Sequence, residues 1–164
     1  MSIHYSLKLA SLYEWSRDRM AAIFEAQTTE DALQAIKDTF PDNVKATLNG
    51  SPLPRDLIDK FVLVMRPTEF QWRDGYEGLK VHWKEYAEVP KDDTHRDGAF
   101  GGFYFITGLM KAHPKTGEVV PFIRFKTVTV KIESMSEDVS IDSRKITELV
   151  FVGSDKPASE VEQA

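Results

Sequence analysis

The sequence contains no cysteine, which excludes disulfides, thiolate metal sites and cysteine nucleophiles. It has no uninterrupted apolar stretch near its N-terminus and no run that approaches the ~20 apolar residues of a membrane span. Basic residues are outnumbered, 21 against 26 acidic ones, so the formal net charge is −5. An acidic chain is a poor candidate for binding nucleic acid or an anionic membrane. We therefore expect a globular cytoplasmic protein whose partners include no nucleic acid and no membrane.

The spacing of apolar residues is helical in the first third of the chain and alternates, as in β-strands, further on. The helical part predicts helices over residues 7–26, 28–40 and 54–65, with a short strand over 44–48. The alternating part predicts strands over 70–72, 79–89, 100–111, 119–133 and 144–152. A chain of 164 residues has the length of one domain, so we expect a single domain over 1–153 and a disordered polar tail over 154–164.

Helices followed by strands with short turns define an α+β layer fold. Strands as long as those over 100–111 and 119–133 are expected to bend, and the helices then close one side of the curved sheet. The predicted fold is therefore three N-terminal helices packed on a strongly curved antiparallel sheet that forms a cone, a cystatin-like roll. A ligand cavity is expected at the mouth of the cone.

Three segments carry a resemblance to known proteins: the stretch Leu12-Tyr13-Glu14-Trp15, residues 49–65 before the sheet, and the strands between 100 and 152. Over roughly residues 7–153, this order of elements resembles the nuclear transport factor 2-like superfamily, which includes SnoaL-like cyclases and uncharacterised fungal and bacterial domains. The resemblance implies the cone-shaped fold and a homodimer. It implies no single activity, because that superfamily contains dehydratases, isomerases, cyclases and hydrolases beside domains that only bind ligands or proteins.

Glu85 is the candidate catalytic residue, because it has the same parity as Val81 and Trp83 and should face the interior with them. Burial disfavours the ionised form of a carboxyl group, which raises its pKa and suits it to acid–base catalysis. Alternatively, a bulge or the open end of the strand turns Glu85 outward, since carboxylates are rarely buried without a partner.

Arg124 and Lys126 share the parity of the apolar residues that follow them in the strand over 119–133, although the apolar face changes near Lys126. Either a bulge resets the register there and leaves both cations on the surface, or both enter the cavity and form a charged pocket with Glu85. Aromatic residues complete the expected lining of this cavity. The predicted ligand-binding residues are Tyr13, Trp15, Trp83, Tyr104, Arg124 and Lys126.

A charged loop at residues 92–98 resembles the first half of a calcium-binding loop, with Asp93, His95 and Asp97 alternating before Gly98. Such a loop requires a glutamate at its twelfth position, where this chain has Tyr104. We therefore predict neither a metal site nor a cofactor.

The strand over 100–111 is apolar on both faces, because Phe103, Phe105 and Leu109 lie opposite the face of Tyr104. Such a strand must be covered on both sides, and the helices cover one of them. A homodimer that packs sheet against sheet would cover the other.

Three functions remain open from the sequence, which does not decide whether the protein is an enzyme. The first is a small-molecule-binding domain whose mostly apolar pocket takes a small apolar or aromatic ligand. The second is a lyase or isomerase that uses Glu85 as base, with Arg124 or Lys126 stabilising an oxyanion. The third is a non-catalytic homodimeric protein-interaction domain.

Overall fold

Three helices precede the long strands of a six-stranded sheet in the computed structural model, which describes residues 6–67 and 75–161. The helices are α1 (Leu12–Phe24), α2 (Thr29–Thr39) and α3 (Arg55–Met65), and strands β1 (Lys45–Leu48) and β2 (Ser51–Pro52) lie between α2 and α3. The long strands are β3 (Lys80–Pro90), β4 (Gly98–Ala112), β5 (Val119–Ser134) and β6 (Arg144–Pro157). The strand predicted over 70–72 lies outside the described residues. None of the described helices is long and apolar enough to cross a membrane.

Side-chain caps determine where the first two helices begin. The Ser11 hydroxyl accepts a hydrogen bond from the Glu14 N–H at 3.1 Å, so α1 begins at Leu12 and not at residue 7 as predicted. The Thr28 hydroxyl accepts a hydrogen bond from the Asp31 N–H at 3.1 Å, so Thr28 caps α2, which begins at Thr29. The start of each helix therefore depends on a local hydrogen bond from a hydroxyl side chain.

The strands form one sheet in the order β2-β1-β6-β5-β4-β3. Neighbouring strands are antiparallel except for β1 and β6, which are parallel, so the sheet is mixed. It is curled but unclosed, and the helices pack against its concave side. The predicted α+β cone of three helices on a curved sheet is therefore confirmed.

A bulge in β3 changes which face of the sheet Glu85 occupies. Trp83 lies opposite Tyr104, whereas Glu85 lies opposite Phe103, because the register shifts by one residue at Lys84. A one-residue shift moves the following side chains to the other face. The side chain of Glu85 is exposed, so of the two alternatives for this residue the structure has the bulge that turns it outward, and the inward position of Glu85 is wrong.

A second bulge lies in β4, between Ile106 and Leu109. Gly108 has a φ of +89° there, and a Cβ on it would collide with the carbonyl oxygen of Gly78. After this bulge, Leu109 lies opposite Phe122 and is buried in the core. The predicted position of Leu109 on the outer face is therefore wrong.

The last strand is longer than predicted. β6 continues to Pro157, and a short 3-10 helix, Ala158–Glu160, follows it. Residues 154–157 pair with residues 122–125 of β5. The predicted disordered tail is therefore wrong for residues 154–157, which are polar in sequence but complete the ladder of β5.

Candidate functional site

A cavity of about 270 Å³ lies between the helices and the concave face of the sheet. Apolar side chains from the helices and from the β1–β2 region form most of its wall: Met20, Ile23, Phe24, Phe40, Leu48, Leu53, Ile58, Phe61, Val62 and Met65. The sheet contributes polar side chains to the opposite wall: Tyr104 on β4, Arg124 and Lys126 on β5, and Asp155 on β6. An apolar enclosure with a few polar groups on one side is typical of small-molecule sites.

Arg124 and Lys126 enter this cavity because β5 alternates regularly. The strand pairs with β6 residue for residue from Phe122 to Lys131, and Phe122, Lys126 and Val128 are buried on the concave side. Of the two registers that the sequence left open, the structure therefore has the one that places both cations in the cavity. Glu85 does not join them.

Asp155 pairs with Arg124 through two hydrogen bonds. Arg124 Nε lies 2.6 Å from Asp155 Oδ1, and Arg124 Nη2 lies 2.8 Å from Asp155 Oδ2. Lys111 Nζ also donates to Asp155 Oδ2, at 2.9 Å. Hydrogen bonds lower the pKa of Asp155 to about 2, and those from Arg124 contribute more than the one from Lys111. The carboxylate is thus ionised at neutral pH and accepts hydrogen bonds from two cationic side chains.

Lys126 is the more deeply buried cation of the polar wall, with 7% of its surface exposed. Its Nζ lies 4.8 Å from the ring centre of Phe24, 4.9 Å from that of Phe151 and 6.0 Å from that of Tyr104. These distances are within the range of cation–π attraction. Within residues 6–67 and 75–161, the Lys126 side chain has neither a hydrogen bond nor an ion pair.

Burial controls the protonation of this wall. Desolvation and, to a lesser degree, the positive charge of Arg124 lower the pKa of Lys126 from 10.5 to about 7, and the negative charge of Asp155 only partly offsets them. Tyr104 is also buried, and burial raises the pKa of its hydroxyl well above 10.0. At neutral pH the cavity therefore presents a protonated phenol and a lysine that is much more readily deprotonated than a solvated one.

Three of the predicted ligand-binding aromatic residues lie outside this lining. Tyr13 stacks on Tyr86 with ring centres 3.8 Å apart, and Trp83 contacts Tyr13 edge-on at 6.0 Å. Trp15 is buried, and the guanidinium of Arg144 lies 5.4 Å from its ring centre. The cavity brings together the other three members of the predicted set: Tyr104, Arg124 and Lys126.

The carboxylate of β3 that faces the helices is Glu88, because the bulge at Lys84 reverses the parity of the strand. Glu88 Oε2 accepts a hydrogen bond from the Tyr13 N–H at 2.8 Å, in the first turn of α1. A carboxylate at the N-terminus of a helix accepts a hydrogen bond from a backbone N–H that has no partner within the helix, and its negative charge complements the helix dipole. The inward carboxylate of β3 thus holds a helix and does not reach the cavity.

Sequence reasoning missed Asp155 and the two aromatic residues that flank Lys126, Phe24 and Phe151. Asp155 was assigned to the tail, although Phe151, Gly153 and Asp155 continue an alternation that ends at the buried Pro157. That alternation was a usable signal.

The charged loop before β4 has structural roles. Asp97 Oδ1 accepts a hydrogen bond from the Ser134 N–H at 2.9 Å, and Asp92 Oδ1 accepts from the Thr94 N–H at 2.9 Å. Among residues 6–67 and 75–161, no group of three or more His, Cys, Asp or Glu side chains is placed to hold a metal ion.

Many solved structures have a fold similar to that of this chain. No family model and no curated protein matches the sequence. An NTF-2 like protein of unknown function from Pseudomonas aeruginosa has a similar structure, with a TM-score of 0.56 and 12% identity, covering 88% of this chain and 99% of that one.

Two further structures are similar over nearly the whole chain. One is the hexachlorocyclohexane dehydrochlorinase LinA-type3 from Novosphingobium barchaimii, with a TM-score of 0.52 and 9% identity, covering 94% of this chain and 92% of that one. The other is a protein from Xanthomonas campestris that is described as a calcium/calmodulin-dependent protein kinase II association domain. It has a TM-score of 0.51 and 14% identity, covering 98% of this chain and 100% of that one. Identities this low establish the fold alone. The chain therefore has the nuclear transport factor 2-like fold.

Proposed function

We propose that this protein binds a small, mostly apolar molecule that carries one oxygen able to accept a hydrogen bond from Lys126. The observation that carries the proposal is the Lys126 amine, which is buried on the wall of an apolar cavity without a hydrogen-bonding partner among the described residues. A buried ammonium without a partner is unfavourable. A ligand oxygen at this position would satisfy it.

The cavity volume limits the size of the ligand. A cavity of roughly 150 Å³ holds benzene, so about 270 Å³ corresponds to roughly ten to thirteen non-hydrogen atoms. A bicyclic aromatic molecule with one oxygenated substituent has this size. Arg124 is less available to the ligand than Lys126, because Asp155 already occupies its guanidinium.

The proposal is tested by calorimetric titration with 2-naphthoate at about pH 8, in two buffers of different ionisation enthalpy. Binding is expected to draw up to one proton from the buffer, because a bound carboxylate favours the charged form of Lys126. The neutral control ligand is 2-naphthalenemethanol, and the control variant is Lys126→Met. The Met variant should still bind the alcohol but lose the preference for naphthoate. Failure of the wild type to bind either ligand would contradict the proposal.

A lyase or isomerase function based on a pocket carboxylate receives less support. Glu85 is exposed on the other face of the sheet. Asp155 does reach the cavity, but its pKa of about 2 makes it a weak base at neutral pH. The geometry therefore favours binding over carboxylate catalysis.

We also propose that the outer face of the sheet forms a homodimer interface. The Phe125 ring centre lies 6.3 Å from that of Phe103 and 6.1 Å from that of Phe105, and all three side chains are partly exposed. Val150 and Val152 are 53% and 54% exposed. A second copy that packs on this patch would remove the apolar surface from water.

A further inference from the structure

We propose that Lys126 is a covalent binding site, whose amine condenses with the carbonyl group of an aldehyde or ketone ligand to form an imine. This inference rests on the proposed function, because the carbonyl compound must first enter the cavity. It narrows the ligand from any molecule with an accepting oxygen to one with a reactive carbonyl carbon.

The contacts of Lys126 leave its amine available for reaction. Lys111 is held by Asp155 at 2.9 Å, and Lys145 donates to the Lys37 carbonyl at 3.0 Å. Lys126 lies on the wall of the cavity and has no such partner among the described residues. Its nitrogen lone pair can therefore approach a bound carbonyl carbon without first breaking a hydrogen bond within the protein.

Two features activate this amine. An apolar environment and a neighbouring cation both favour the neutral, nucleophilic form of lysine. The apolar lining of the cavity supplies the first, and Arg124, two residues away on the same face of β5, supplies the second. The lowered pKa of Lys126 agrees with this arrangement.

The aromatic residues around the amine suit the product as well. In the condensation, the nitrogen forms a C=N double bond while the carbonyl C=O bond breaks, and the oxygen takes both amine protons and leaves as water. The imine then gains a proton from solvent to become an iminium cation. The rings of Phe24 and Phe151, with centres 4.8 and 4.9 Å from Nζ, would stabilise that cation. The apolar lining would limit the access of water that hydrolyses imines.

The test is reductive trapping of the full chain with 2-naphthaldehyde and cyanoborohydride at about pH 7.5, followed by peptide mapping. Lys111 is the control lysine, because its side chain is 44% exposed and lies at Asp155. A lysine with a pKa near 7 is largely the neutral, nucleophilic amine at pH 7.5, so we expect Lys126 to be labelled roughly 100-fold faster than the exposed, ion-paired Lys111. Labelling of Lys126 should increase with pH through a midpoint near 7.

Two controls separate the covalent step from binding. Lys126→Arg keeps a cation at the site without a condensing amine, and it should abolish the fast labelling. The alcohol 2-naphthalenemethanol fits the same space and forms no imine. If the alcohol binds and the aldehyde labels Lys126 no faster than Lys111, the covalent inference is wrong and the proposed function stands. If neither compound binds and no fast labelling occurs, both are wrong.

Discussion

Replacing Lys126 with Met should stabilise the protein below neutral pH, which is the reverse of the usual effect of a core substitution. Met keeps the unbranched shape and removes the buried amine. Below pH 7, the wild-type fold carries a protonated Lys126 without a hydrogen-bonding partner among the described residues. The fall in pKa from 10.5 to about 7 corresponds to about 4 to 5 kcal/mol at ~1.4 kcal/mol per unit.

The pH dependence distinguishes this effect from simple packing. The folded pKa of Lys126 is lower than the unfolded one, so unfolding takes up a proton between the two values, and wild-type stability rises with pH there. The advantage of Lys126→Met should therefore be complete below about pH 6 and smaller by about 3 kcal/mol at about pH 9.5.

Urea unfolding of wild type and variant at these two pH values measures the difference. Lys60→Met is the matched control, because Lys60 is exposed on α3 and is solvated in both states. Its effect on stability should be small and the same at both pH values. If the Met and wild-type proteins differ equally at both pH values, Lys126 is hydrated in the fold, and the reasoning on the cavity is refuted.

Three further outcomes are expected. Asp155→Asn should lower the free energy of unfolding by about 2 kcal/mol at neutral pH, and by more if Arg124 stays unpaired. The wild type should lose this contribution as the pH falls from about 4 towards 2, so acid unfolding curves of wild type and variant that coincide would contradict the prediction. Truncation after Gly153 should lower the melting temperature strongly, because it removes Asp155 and the buried Pro157; a melt within a few degrees of the full chain would show that the end of β6 contributes little. Phe103→Glu should convert a dimer into a monomer of 18.7 kDa in sedimentation equilibrium, whereas Val64→Glu, at an exposed position of α3, should not. A wild-type monomer would refute the dimer.

The sequence predicted the helices and the long strands because their apolar periodicities are strong and local. It left the face of Glu85 open and gave the wrong face for Leu109, because each face depends on a bulge of one residue. The bulge at Gly108 depends on the close approach of Gly78, a contact 30 residues away in sequence that no local pattern shows. The prediction of which face a side chain occupies therefore failed where a bulge changes the register of the strand.

The polar wall of the cavity was predicted only in part, because its members also depend on how the strands pair. The sequence did not decide whether β5 alternates regularly or contains a bulge near Lys126. Because β5 is regular in the structure, simple alternation places Arg124 and Lys126 in the cavity. Asp155 was missed because a polar segment at the end of a chain resembles a tail. Only its pairing with β5, opposite Arg124, shows that it belongs to the sheet.

The parallel pairing of β1 with β6 has a consequence for how the chain folds. Among the described strands, β6 lies between β1 and β5, so β1 joins the long strands through β6. The partners Ala46 and Leu149 are separated by most of the sequence. Contacts of such long range slow folding, because a large loop must close before they form. During synthesis, β1 and β2 can therefore join the sheet only after β6 has left the ribosome. Until then the apolar faces of the helices lack part of the sheet that covers them.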